Sequence, residues 1–126
     1  MKALYIPTGI LVLLLIGSLA SAAYVHRQID ASLAPLLQAE TFAREESWSE
    51  AEHQLQLGYD RWLAGQGYFH AIVEHGELDE SETLFAAAFA ACDEQDEADF
   101  HAILAQLRTS LEHLSEKQQL SLGNIL

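Results

Sequence analysis

The sequence predicts an all-α protein: a single N-terminal transmembrane helix followed by a small antiparallel bundle of about four helices. Three observations carry this. Residues 3–25 contain no charged side chain. Apolar residues then recur at helical spacing through most of the remaining chain. No run alternates with period two between turn signals, so no strand is predicted.

The first element is the uncharged stretch ALYIPTGILVLLLIGSLASAAYV. A bilayer core of about 30 Å takes about 20 helical residues, so residues 3–25 suffice. Pro7 falls in the first turns, where a missing N–H costs least. Tyr5 and Tyr24 stand near the two ends, as interfacial aromatics do. His26 and Arg27 mark the exit from lipid. The expected organisation is an anchor over residues 1–26 and an acidic domain over 27–126. Lys2 favours a cytoplasmic N-terminus and an external C-terminal domain. The alternative is a cleaved signal, cut after Ala22 at Ala20-Ser21-Ala22, releasing a secreted domain. Gly17 and Ser21, with Ser18 and Ala22, make small-xxx-small pairs suited to self-association or to a membrane-protein partner.

The domain carries five basic against 19 acidic side chains, a formal charge of −14. That field repels nucleic acid and anionic headgroups. Ile29, Leu33, Leu36, Leu37 and Ala43 extend the anchor as a stalk, which Pro35 should kink or split near Ala34. Ser47 and Glu50 fit a capping box ahead of a helix bearing Trp48, Ala51, Leu55, Tyr59, Trp62 and Leu63. Gly65-Gln66-Gly67 ends it. Tyr68, Phe69, Ile72 and Val73 suggest a short helix. Asp79 and Glu82 form a second cap-like pair before Leu84, Phe85, Ala88, Phe89 and Cys92. Asp93-Glu94-Gln95-Asp96 reads as turn and cap, and Phe100, Ile103, Leu104, Leu107 and Leu111 mark a last long helix. The apolar tail, Leu120 to Leu126, is expected to dock on the bundle. Ser49-Glu50-Ala51 is faintly echoed by Asp96-Glu97-Ala98, 47 residues on.

Trp48, Trp62, Phe69, Phe89, Leu104 and Leu107 are the expected core or interaction residues. The two tryptophans share one helical face, as core anchors or as an aromatic platform for a partner. Cys92 is the one cysteine. It reads as a small buried hydrophobe or as a thiol that pairs between chains. The segment His75-Gly76-Glu77-Leu78-Asp79 reads as a polar loop, and His75, Glu77 and Asp79 are the candidate ligands for a cation or small molecule. Their spacing matches no metal motif, so local capping is the competing reading. No GxSxG, GxGxxG or P-loop occurs. The expectation is a protein that is not an enzyme and holds no cofactor. Residues 3–25 would meet lipid, and no nucleic acid would bind.

An N-terminal anchor, Trp48-x-x-Ala51 with Trp62, Glu74-His75-x-Glu77-x-Asp79, and the close on His113, Glu116, Leu120-Ser121-Leu122 and Asn124-Ile125 together resemble a bacterial family. It is catalogued as domain of unknown function 4363, short membrane-anchored helical proteins mainly of Gram-positive bacteria. The resemblance spans nearly the whole chain. It implies a helical fold and an accessory role in the envelope, without an assigned ligand or catalytic residue. This sequence departs from the pattern in its scarcity of lysine, its acidity, Gly76, Gly123 and Pro35. The function expected is therefore a non-enzymatic, membrane-tethered interaction or accessory module. The alternative is a ligand- or cation-sensing domain centred on His75–Asp79.

Overall fold

The computed structural model describes residues 2–67 and 75–125, with side chains for 3–67, 76, 78–114 and 116. Among the described residues there are four helices: α1 (Lys2–Arg44), α2 (Trp48–Ala64), α3 (His75–Asp93) and α4 (Glu97–Ile125). The short helix expected from Tyr68 to Val73, and Phe69 with it, lie outside the described residues.

Each helix buries a seam that steps alternately by three and four residues. In α1 it is Val25, Ile29, Ser32, Leu36, Ala39 and Ala43; in α2, Ala51, Leu55, Gly58 and Trp62. In α3 it is Leu78, Ser81, Phe85, Ala88 and Cys92; in α4, Phe100, Leu104, Leu107, Leu111 and Leu114. Such a spacing keeps one face turned to its neighbours in a left-handed bundle. Trp48 meets Phe100 edge to face at 5.7 Å, and Cys92 Sγ lies 3.8 Å from Trp48 O. The α1–α2 and α3–α4 turns therefore sit side by side at one end, and the helices run up, down, up, down.

The two hairpins are the same structure repeated 49 residues apart. Adding 49 to Ile29, Ser32, Leu36, Ala39 and Ala43 gives the five seam residues of α3. Adding it to Ala51, Leu55, Gly58 and Trp62 gives Phe100, Leu104, Leu107 and Leu111. The turns repeat too. Glu46 and Gln95 take φ of 60° and 55°. Glu46 N–H donates to Ala43 O and Ser47 N–H to Phe42 O, matched by Gln95 to Cys92 O and Asp96 to Ala91 O. This pair of bonds closes a helix on a left-handed residue. The echo predicted at 47 residues is thus a repeat at 49. The sequence match misplaced it because the shared features are burial and backbone, not residue identity. A left-handed conformation strains a non-glycine residue by about 1 kcal/mol, so Gln95→Gly is expected to stabilise the bundle by about that amount. Denaturant unfolding followed by circular dichroism measures it.

Two capping expectations are corrected. Ser47 is the N-cap of α2 but makes no side-chain hydrogen bond, its φ of −89° and ψ of 69° lying away from the extended backbone of a capping residue. The Asp79–Glu82 pair lies inside α3, not at its start. At the second turn the expectation holds, since Asp99 N–H donates to Asp96 Oδ1 at 3.0 Å.

Pro35 does not split α1, which is helical from Lys2 to Arg44. Proline removes the N–H that would bond Ala31 O, four residues back. Arg61 of α2 replaces it: Nη1 donates to Ala31 O at 3.0 Å. One turn earlier on α2, Gly58 brings the two backbones together. A Cβ there would lie 3.0 Å from Leu36 Cδ2 and 3.1 Å from Ser32 O. The imperfection in α1 is thus satisfied from outside, which the local sequence does not reveal. Arg61→Met is expected to cost about 1 kcal/mol, the net worth of a partly exposed hydrogen bond. In the Pro35→Ala background, Ala31 O regains its own donor and the same change should cost almost nothing. A double-mutant cycle reads this coupling directly.

Candidate functional site: the bare helix of the anchor and a carboxylate between α1 and α4

From Leu4 to Leu14, α1 exposes its apolar residues on every side. Leu4, Ile6, Leu11, Leu13 and Leu14 are 64–73% exposed, and Ile10, Val12, Ile16 and Leu19 are 46–57% exposed. In water each such side chain forgoes about 1.5–3 kcal/mol of burial. Nine of them together forgo an amount comparable with the roughly 5–15 kcal/mol that holds a small domain folded. This is the one described helix long and apolar enough to cross a membrane.

From Val25 onward the same helix is a wall of the bundle. Its buried charged residue is Glu40, 8% exposed. Glu40 Oε1 lies 2.7 Å from His101 Nδ1 on α4, and Oε2 lies 3.9 Å from Arg108 Nη1. Oε1 has no aligned hydrogen-bond donor among the described residues. In the repeated hairpin the equivalent position is Phe89, which packs on the core. Glu40 also lines an open depression of about 440 Å³ with Arg44, Glu97 and His101. Sequence reasoning did not single out Glu40. The available signal was an acid beside Ala39, on the apolar side of a helix. The partner side chains are 50% and 37% exposed, so the pairing contributes little, and a well-packed apolar residue often matches a buried carboxylate. Glu40→Leu is therefore expected to leave stability unchanged or raise it by up to about 2 kcal/mol. A loss of more than about 1 kcal/mol in denaturant unfolding would mean that the fold depends on this charge.

The predicted site residues fall as follows. His75–Asp79 is not a loop: it forms the first turns of α3. Gly76 and the run of polar residues suggested a break, but the seam through Leu78, Ser81 and Phe85 continues the helix. Asp79 O accepts from Thr83 Oγ1 at 2.8 Å, as an interior helical residue does. The side chains of His75 and Glu77 lie outside the described residues. The segment is the counterpart of His26-Arg27-Gln28-Ile29-Asp30-Ala31-Ser32, which shares its histidine, aspartate and serine in register. There His26 Nε2 lies 3.1 Å from Asp30 Oδ2 on an exposed helix face. The two serines face the interior. Ser32 donates to Gln28 O, and Ser81 Oγ lies 3.1 Å from Ser110 Oγ. Among the described residues no group of three or more His, Cys, Asp or Glu is placed to hold a metal ion.

Trp62, Leu104 and Leu107 are in the core, while Trp48 and Phe89 pack against it half-buried. Trp62, Tyr59, Phe85 and Phe89 form one aromatic group with centroids 5.1–6.0 Å apart. It spaces α2 from α3 where glycine and alanine bring α1 close to α2. Cys92 is 5% exposed. Burial, with Glu52 and Asp93 nearby, pushes its thiol pKa up, which disfavours the thiolate needed for disulfide exchange. Gly17 has nothing within 4 Å of where a Cβ would stand. The two turns at the end of the bundle away from the N-terminus of α1 gather nine of the 19 acidic residues, in 44–53 and 93–99, with Arg44 alone in opposition.

The fold and surface define a class: a small all-helical protein whose first helix is long and apolar enough to cross a membrane and then joins a bundle. Residues 19–125 match the family model described as Domain of unknown function (DUF4363). The chain belongs to that family. No curated protein and no solved structure matches it.

Proposed function

We propose that this protein is a non-enzymatic, membrane-tethered interaction or accessory module of the bacterial envelope. Residues 1–26 anchor it uncleaved, and 27–126 form a domain outside the membrane with the N-terminus in the cytoplasm. The observation that carries the reading is α1 itself. Its apolar surface from Leu4 to Leu14 is bare, and the same helix runs unbroken into the bundle as one of its walls. Cleavage after Ala22 would free a bundle lacking only the start of that helix, so continuity favours the anchor without requiring it. The acidic turns point away from the membrane end, where their charge is repelled by anionic headgroups. They are the part most accessible to a partner.

Two measurements test the reading. Crosslinking in native membranes should enrich a membrane protein over an unrelated single-pass control carrying the same tag. Equal recovery from both would defeat the interaction role. Mass spectrometry of the mature protein should find its N-terminus at or near Met1; a terminus at Ala23 would establish the secreted alternative.

A further inference from the structure

We propose that the last turns of α4, residues 118–125, enter the membrane interface beside α1, making a second membrane contact next to the anchor. The inference rests on the reading of α1 as a membrane helix. It has three supports.

The first is register. α4 runs antiparallel to α1, with His101 opposite Glu40. Ile125 lies 24 residues beyond His101, about 36 Å at helical rise. The same distance back along α1 from Glu40 reaches Ile16, well inside the uncharged stretch. α4 is also ten residues longer than α3, its hairpin partner, at 29 against 19.

The second is charge. The last charged side chain of α4 is that of Lys117, and residues 118–126 have no charged side chain. By the same register Lys117 stands level with Tyr24, next to the point where the charge-free stretch of α1 ends. The two helices lose their charge at one height, as they would at a membrane surface.

The third is burial on α1. Leu15, Ser18, Ser21 and Ala22 are half-covered, whereas the residues around them are exposed. Leu15, Ser18 and Ala22 continue the seam of Val25, Ile29 and Ser32 with the same alternating steps. The face of α1 that packs in the bundle therefore extends about two turns into the anchor, and small residues there allow a close approach. The predicted reach of α4 below Tyr24 is about 12 Å, near the 5–10 Å depth of interfacial helices. Leu120, Leu122 and Ile125, mixed with Ser121 and Asn124, have the composition of such a segment.

The test uses the full chain with Cys92→Ala, carrying one new cysteine labelled with an environment-sensitive fluorophore. It is reconstituted in phosphatidylcholine vesicles with or without brominated acyl chains. Leu122→Cys is the reporter. Ser121→Cys is the second variant should the first disturb folding, which circular dichroism checks. Ile10→Cys marks the anchor and Glu112→Cys marks the domain above the surface. Quenching at 122 or 121 comparable with that at 10, and none at 112, supports the inference. Quenching at 10 with 121 and 122 reading like 112 overturns it and leaves the anchor intact. No quenching at 10 overturns both this inference and the proposed function.

Discussion

Trp62→Ala is expected to cost the bundle about 3–5 kcal/mol, the range for deleting a buried aromatic. Trp62 is fully buried and lies 5.5 Å from Phe85 and 6.0 Å from Tyr59 by ring centroid. Its removal opens a cavity where α2 meets α3, an interface that depends on these rings. Small domains hold only about 5–15 kcal/mol in total, so the variant should sit near the edge of folding. Trp62→Phe should lose much less. The indole Nε1 finds no hydrogen-bond partner among the described residues, and a buried unpaired donor itself costs about 1–3 kcal/mol. Denaturant unfolding of the full chain in nanodiscs, followed by circular dichroism, ranks the three proteins. A Trp62→Ala protein as stable as the parent would place the core elsewhere.

Gly58→Val should cost about 3 kcal/mol for the opposite reason, overpacking. The first added carbon already presses on Leu36 Cδ2 and Ser32 O. The leucine end can move, but the backbone oxygen of a helix cannot. Valine adds two further carbons in that gap. Alanine would gain about 1 kcal/mol of helix propensity over glycine, set against both close contacts, so Gly58→Ala should come out destabilising by about 1 kcal/mol or less. The Arg61 bond to Ala31 O should weaken in parallel, because any separation of α1 from α2 lengthens it. Unchanged unfolding midpoints for Gly58→Val would show that the two helices have room to part.

The Pro35 region explains part of what the sequence could and could not disclose. Local rules break a helix at proline, and they are right that Ala31 O loses its donor. They are silent on Arg61, which lies 30 residues away in the chain and supplies the replacement. His75–Asp79 failed in the same way. Glycine and polar residues lower local helix propensity, but the seam residues Leu78 and Ser81 bury only if α3 has begun. Glu40 was missed because an acid at one position of a stripe is indistinguishable from a surface residue until its neighbouring helices are known.

By itself the sequence determined the helical class, the uncharged apolar segment 3–25, the acidic field and the helical seams of α2 and α4. All of these follow from composition and period within one element, where neighbours in the chain are neighbours in space. Only the tertiary structure decided that α1 is unbroken, that two hairpins repeat at 49 residues, and that Glu40 sits between His101 and Arg108. Each of these depends on the register between helices. That register is fixed by side chains such as Gly58 and Trp62 meeting across the bundle, and no periodicity along a single helix records it.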